Sequence, residues 1–177
     1  MALLSIALLI LLNGAFAMSE MSIVASRRAR LRERARAGDR RAAVALELHN
    51  APNVVLSTTQ IGITLVGVLL GAVGERVLAA DLAAVLMRVP GLEPYSDALA
   101  LGVVVVAITY VSLVVGELVP KRLALYQPEK VACLVARPMR LLSRLAHPGV
   151  RLLSASVDFS LKLVGALAPA GPTITEA

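Results

Sequence analysis

The chain has 177 residues, of which 58% are hydrophobic and 17% charged, with no Trp, one Cys and a formal charge of +6. A water-soluble domain carries about 45–50% apolar and about 25% charged residues, so this composition fits an ordinary globular domain poorly and excludes a disordered chain. Cys133 has no second cysteine to pair with and no ligand spacing around it, and reads as a small buried residue.

In chain order, the first apolar stretch runs from Ala2 to Val24. About 20 residues at 1.5 Å each cross a hydrocarbon core of about 30 Å, which predicts a transmembrane helix. Ala15-Phe16-Ala17 resembles a signal-peptidase site, but no Lys or Arg precedes the apolar run, and eight Arg follow it between positions 27 and 41. A signal peptide has the opposite polarity, so the helix is expected to stay uncleaved with its N-terminus outside. The Arg-rich stretch at 27–50 is expected to form a cytoplasmic helix with a weak apolar side of Leu31, Ala35 and Val44.

A second span is predicted from Pro52 to Gly74 and a third from Leu99 to Val119. Buried helices of a soluble bundle would show polar residues every three or four positions, and neither Ile61–Leu70 nor Leu101–Ile108 does. Residues 27–41 set eight Arg against Glu33 and Asp39, residues 121–151 set seven Lys and Arg against Glu129, and the intervening loop at 75–98 is net −2. Two basic segments around one acidic segment predict an all-α membrane protein of three spans, N-out and C-in. Beyond Pro120, Pro128, Pro138 and Pro148 are expected to divide the chain into short basic amphipathic helices over about 123–167, lying at the interface. Within them, Val150–Leu167 is apolar enough to consider as a fourth span. Asp158 and Lys162, spaced as an i,i+4 pair, favour a juxtamembrane helix instead. Residues 169–177, with Pro169, Gly171 and Pro172, read as a linker after a domain at 1–168.

Polar residues inside the spans are few and share one depth. Asn13, Ser19 and Glu20 lie on the first helix, Ser57, Thr58, Thr59, Gln60 and Thr64 on the second, and Glu117 on the third. Ser19, Glu20, Ser57–Gln60 and Glu117 all fall within roughly 6–12 Å of the cytoplasmic boundary at 1.5 Å per residue. Pro120 cannot donate to the carbonyl four residues back, that of Gly116, and so predicts a helix break beside a carboxylate. A freed carbonyl, a carboxylate and hydroxyls are hard oxygen donors suited to Mg²⁺ or Ca²⁺ and usable by Na⁺, and broken helices at membrane depth are a recurrent way to hold ions. Without His or Cys in the group, Zn²⁺ is a poor match.

Each of these residues has a plainer role. Ser and Thr in a membrane helix commonly bond their own backbone, Asn13 and Gln60 can link helices, Glu20 can pair with Arg27 or Arg28, and Glu117 can pair with Lys121. An intramembrane carboxylate is costly, which makes Glu117 the leading candidate. Gly67 and Gly71 form a small-xxx-small face that serves either packing within the chain or a homodimer, and a dimer is expected because three spans enclose little volume.

Asn13-Gly14-Ala15-Phe16 with Ser19-Glu20, then Ser57-Thr58-Thr59-Gln60-Ile61-Gly62 with Thr64-Leu65, then Gly116-Glu117-Leu118-Val119-Pro120-Lys121, in this order over about residues 1–165, resemble the membrane domain of the CNNM/CorC family, which includes haemolysin-like bacterial proteins. The resemblance implies a dimeric three-span domain of the cell membrane, with juxtamembrane helices and Mg²⁺ export coupled to Na⁺ entry. It implies a largely dehydrated Mg²⁺ held by Ser19, Ser57 and Glu117 with the Gly116 carbonyl nearby, and it implies cytoplasmic CBS domains beyond this chain. Family members tend to place Asn where this chain has Ile63, Thr64 and Gly67.

Two functions therefore stand side by side. One is a divalent-cation transporter domain for Mg²⁺ or Co²⁺, and the other is a membrane anchor or signalling module with a structural ion. Nucleic-acid binding, prompted only by the Arg run, lacks aromatic platforms and a motif. His49 and His147 have no nucleophile or metal-site spacing, so no enzyme is expected.

Overall fold

The computed structural model describes residues 2–163, and among them every regular element is helical. Helix α1 (Ala2–Ala25) leads into two short helices, α2 (Arg28–Arg36) and α3 (Arg40–His49). Gly38, at φ +94°, makes the turn between those two, and the Asp39 carboxylate caps α3 by accepting the Arg41 and Ala42 N–H groups. Helix α4 (Pro52–Gly74) opens with Pro52 in its first turn, where the missing N–H costs nothing. It continues through a π-helical turn (Glu75–Ala79) into α5 (Ala80–Leu86). After a short 3₁₀ turn, α6 (Ser96–Leu113) runs through a second π-helical segment (Val114–Leu118) into α7 (Val119–Tyr126), and α8 spans Pro128–Leu163.

Three helices are long and apolar enough to cross a membrane: Leu3–Ala25, Pro52–Leu86 and Glu93–Tyr126. Helix α1 is the hub, packed against α4, the second π-helical segment, α7 and α8. Outside the spans, α2, α3 and α8 close around a core that includes Leu31, Ala45, Ala136 and Met139 and reaches Ile23 of α1 and Val55 of α4.

Four local expectations change. The Arg-rich stretch at 27–50 is two helices and not one, because Gly38 turns the chain between α2 and α3. Residues 75–98 are not one loop, because the second helix extends to Leu86: Ala79 and Ala83 share a face four residues apart and are buried where this extension packs against α6. The third helix does not stop at Pro120. A π-helical turn shifts the hydrogen-bond register, and Pro120 then falls in the first turn of α7, where no intrahelical donor is required.

The prolines after position 127 do not divide the basic segment into pieces, for α8 is a single 36-residue helix with Pro138 and Pro148 inside it. Both prolines lie on its exposed side, so the carbonyls they leave unpaired face outward. The inner stripe of Ala132, Cys133, Ala136, Met139 and Ser143 keeps an unbroken seam. Burial pushes the Cys133 thiol above its ordinary range, which fits an inert core residue. Asp158 and Lys162 are both exposed and make no ion pair with each other among the described residues. The predicted linker at 169–177 and the end of the predicted helix at 164–167 lie outside the described residues.

Candidate cation site

The π-helical segment Val114–Leu118 makes a close interhelical contact at the predicted site. Gly116 is buried against α1, and a Cβ placed on it would stand 3.3 Å from both Asn13 Nδ2 and the Ile10 carbonyl. Gly14, one residue beyond Asn13, meets Pro120 Cγ and the Val115 carbonyl in the same way, at 3.0 and 3.6 Å. Two glycines thus let the backbone of α1 touch the π-helical segment directly, which side chains would prevent.

Across that contact the Asn13 Nδ2 group donates to the Gly116 carbonyl at 3.0 Å. The carbonyl that Pro120 was expected to free is therefore satisfied from another helix. Asn13 is 5% exposed, and its Oδ1 is buried without a hydrogen-bond partner. A buried amide oxygen left unpaired costs about 1–3 kcal/mol, so this atom is a candidate acceptor for an ordered water or a ligand, as is the Ser143 Oγ in the core of α8. Both the amide oxygen and the second lone pair of the Gly116 carbonyl are hard donors.

Glu117 follows Gly116 but points elsewhere. Its carboxylate accepts from Lys121 Nζ at 2.8 Å, with the two side chains about one-third and one-quarter exposed. Glu117 also lines a groove of about 260 Å³ between α4 and α6, together with Gly67, Gly71, Thr109, Ser112 and Glu75. Along α6 and the π-helical segment that continues it, the groove extends from Val104 to Glu117, roughly 20 Å at 1.5 Å per residue. In the sequence, Glu75 counts only towards the net negative charge of the expected loop at 75–98. Its place in the groove follows from the helical extension, and its residence in a π-helical turn, like that of Glu117, had no sequence signal.

The remaining candidates are placed as follows. Ser19 is buried and donates to the Ala15 carbonyl at 2.7 Å, while Thr58 and Thr59 are buried and donate to Val54 and Val55 at 2.6 and 3.0 Å. Ser57 is half-buried, and Gln60 and Thr64 are exposed on α4. Glu20 is half-buried and makes no ion pair with Arg27 or Arg28 among the described residues. The Arg27 N–H instead donates to Glu129 Oε1 at 3.3 Å. His49 is structural, its Nδ1 lying 2.9 Å from the Ile23 carbonyl. No three of His, Cys, Asp and Glu gather as a metal cluster among the described residues, so amide, hydroxyl and backbone oxygens must supply much of any cation shell. The structure brings Asn13, Gly116 and Pro120 together; it places Glu117 one residue away and facing the groove.

The sequence matches the profile of the Cyclin M transmembrane N-terminal domain over residues 3–177. It is 49% identical over 168 residues to the UPF0053 protein sll0260 of a Synechocystis strain, covering 95% of this chain and 38% of that protein. It is 33% identical over 164 residues to the UPF0053 protein YhdT of Bacillus subtilis, covering 93% and 36%, and 32% identical over 159 residues to the uncharacterized protein Rv1841c of Mycobacterium tuberculosis, covering 89% and 45%. The chain thus spans less than half the length of each of these relatives. With three apolar helices and a match from end to end, the chain is a multi-pass membrane domain that belongs to the CNNM transmembrane family.

Proposed function

We propose that this domain carries a divalent cation, Mg²⁺ in the first instance, across the cell membrane, with Na⁺ as the coupling ion. The observation behind the reading is the orphaned Asn13 Oδ1 buried beside the Gly116 carbonyl in the π-helical segment before Pro120. The cation is the cargo, and the transmembrane family is the setting in which such a widened turn is useful. Positive charge before the second span and after the third, with a net-negative segment between those two spans, orients the domain with its N-terminus outside and α2, α3 and α8 in the cytoplasm.

In this reading Lys121 is a tethered stand-in for the cargo. The Glu117 carboxylate is one-third exposed and already holds a cation, so a divalent ion can take the place of the ammonium without leaving the carboxylate unpaired. The released carboxylate turns a charged oxygen towards the groove, and the Asn13 and Gly116 oxygens stand one residue away. Ser19 and Ser57 join only if their hydroxyls leave their present positions, which for Ser19 means breaking the bond to Ala15. Glu75 marks the other end of the groove and would receive or deliver the ion there. CBS domains, which the family resemblance implies beyond this chain, would regulate it.

A homodimer completes the proposal. Nothing lies within 4 Å of a Cβ built on Gly67 or Gly71, so packing within the chain does not use the small-residue face. A second copy seated there would roof the groove. Gly67→Leu with Gly71→Leu is expected to shift the protein from dimer to monomer in detergent, measured by light scattering; an unchanged dimer would place the interface elsewhere.

The transport reading is tested with purified protein in liposomes loaded with a Mg²⁺ indicator dye. Flux from the intact chain and loss of about tenfold or more in Glu117→Gln and Asn13→Leu are the expected results, a size that corresponds to removing one charge-assisted contact. Ion-dependent thermal stability without flux would favour the second reading, a membrane anchor with a structural ion, to which Ile63 and Gly67, with no side-chain oxygen, lend some weight.

A further inference from the structure

A second polar cavity, of about 600 Å³, lies away from the cation site, between α2 and the junction of α7 with α8. Arg27, Arg30 and Arg34 face it from α2 and its N-cap, spaced so that they share one helix face, and Lys130 faces it from the first turn of α8. Glu129 between them is buried at 8% exposure. It accepts the Arg27 N–H at 3.3 Å and lies 3.8 Å from the Arg30 guanidinium, so it fixes the two walls against each other. Arg34 is taken up by Asp39 at 3.1 Å. The Arg27 guanidinium and the Lys130 ammonium have no carboxylate within ion-pair distance among the described residues. Two cations thus converge on one cleft uncompensated, at the positive end of a 36-residue helix.

The position of the cleft says what kind of anion it meets. It opens where the apolar run of α1 ends, at Ala25, and where the third long apolar helix ends, at Tyr126. That is the level of the lipid headgroups. Leu125 and Tyr126 line the same cleft and are 52% and 84% exposed, an apolar and an aromatic surface of the sort that settles at the bilayer interface. A small hydrated anion would use only the cationic wall, whereas an anionic phospholipid would use both.

We propose that this cleft binds an anionic phospholipid, its phosphate held between Arg27 and Lys130 and its glycerol and upper acyl chain laid along Leu125 and Tyr126. The site ties α2 to the start of α8 through a lipid of the adjoining leaflet, so lipid charge bears on how the extramembrane helices sit against the third span. The inference depends on the membrane setting and not on cation transport, and its test reads lipid rather than flux.

The test uses the purified chain in mild detergent, titrated with phosphatidylglycerol, phosphatidylcholine or inorganic phosphate, with bound lipid counted by native mass spectrometry and stability followed by thermal melting. Retention of phosphatidylglycerol over phosphatidylcholine, and loss of about tenfold in its affinity in Arg27→Gln with Lys130→Gln, are expected. The control is Arg32→Gln with Arg36→Gln, which removes equal charge from the opposite face of the same helix and should retain the lipid. Equal loss in both double variants would overturn the proposal in favour of a diffuse basic surface. Equal stabilisation by inorganic phosphate would overturn it in favour of a small-anion site. Should the double variant fail to fold, Lys130→Gln alone, at an exposed and unpaired position, should lower affinity about threefold; an unchanged value would again overturn it.

Discussion

The two halves of the molecule solve the packing problem in opposite ways. Outside the spans, α2, α3 and α8 bury Leu31, Ala42, Ala45, Ala132 and Ala136 completely, around a helix cap and a turn glycine. Within the spans, the buried cluster comprises Ile6, Ile10, Val66 and Leu70, and the most apolar window of the third helix is only 11% buried. Water drives the first half together by the hydrophobic effect, but lipid is as apolar as leucine and supplies no such force. The spans are held instead by close backbone approach at Gly14 and Gly116, by the Phe16 ring seated on Gly62, and by one buried amide bond. Area removed from water thus accounts for cohesion in one half, and close contact between helices accounts for it in the other.

Paired leucine truncations break this comparison most sharply. Leu31, wholly buried where α2 meets α3 and α8, should lose about 2–5 kcal/mol as Leu31→Ala, from lost burial and the cavity left behind. Leu8, 65% exposed on α1, has the same side chain facing lipid, and Leu8→Ala should change stability by no more than about 0.5 kcal/mol. Reversible unfolding in mixed micelles measures both. Similar losses at the two positions would mean that Leu8 is covered, as a dimer through α1 would require.

Paired glycine substitutions act on the spans alone. A Cβ on Gly62 would fall 2.5–2.7 Å from three ring atoms of Phe16, and the ring has no flexible end to withdraw. Gly62→Ala should therefore cost about 1–3 kcal/mol by overpacking. Gly67→Ala, on an open face, should be neutral or gain up to about 1 kcal/mol from helix propensity. Thermal melting of the two variants in the same detergent separates them, and a destabilised Gly67→Ala would point to a covering neighbour.

What could be read from the sequence divides along the same line. The three spans were legible because length and apolar continuity are one-dimensional properties, and the Asn13-to-Lys121 motifs carried the family. The π-helical turns were not legible, since Glu75 and Val114–Leu118 sit in unbroken apolar or amphipathic surroundings and only the three-dimensional register reveals the widened turns. The continuity of α8 was missed because Pro138 and Pro148 are strong local breakers, and their exposed placement depends on a seam with α3 that local propensity does not describe. At the site, Pro120 announced an unpaired Gly116 carbonyl, but the donor that fills it is Asn13, 103 residues away in the chain. Side-chain direction was equally hidden: Glu117 faces Lys121 and the groove, one helical step from the buried amide.

The smallest effect concerns acid. Asp39 accepts the Ala42 N–H, and this bond, with the Arg41 N–H and the Arg34 guanidinium behind it, holds its carboxyl below the ordinary value of 3.8 despite some opposing desolvation. A carboxyl with a folded value below its unfolded one stabilises the fold fully above the unfolded value, and the contribution disappears as pH falls through the folded value. Asp39→Asn keeps an oxygen to accept both N–H bonds but has no charge to protonate. The stability difference between the parent and Asp39→Asn should therefore be small and constant near neutrality, then shrink as pH drops below about 4. Asp39→Ala should lose the cap at every pH. Thermal melts from about pH 7 down to about pH 3 would show this, and comparing variants cancels the titration of every other carboxylate. Because the cap belongs to the extramembrane half, Gly62→Ala should leave the acid response unchanged. If instead it reshaped the Asp39 profile, the spans and the bundle would be unfolding as one cooperative unit, and the two packing regimes would share a single stability.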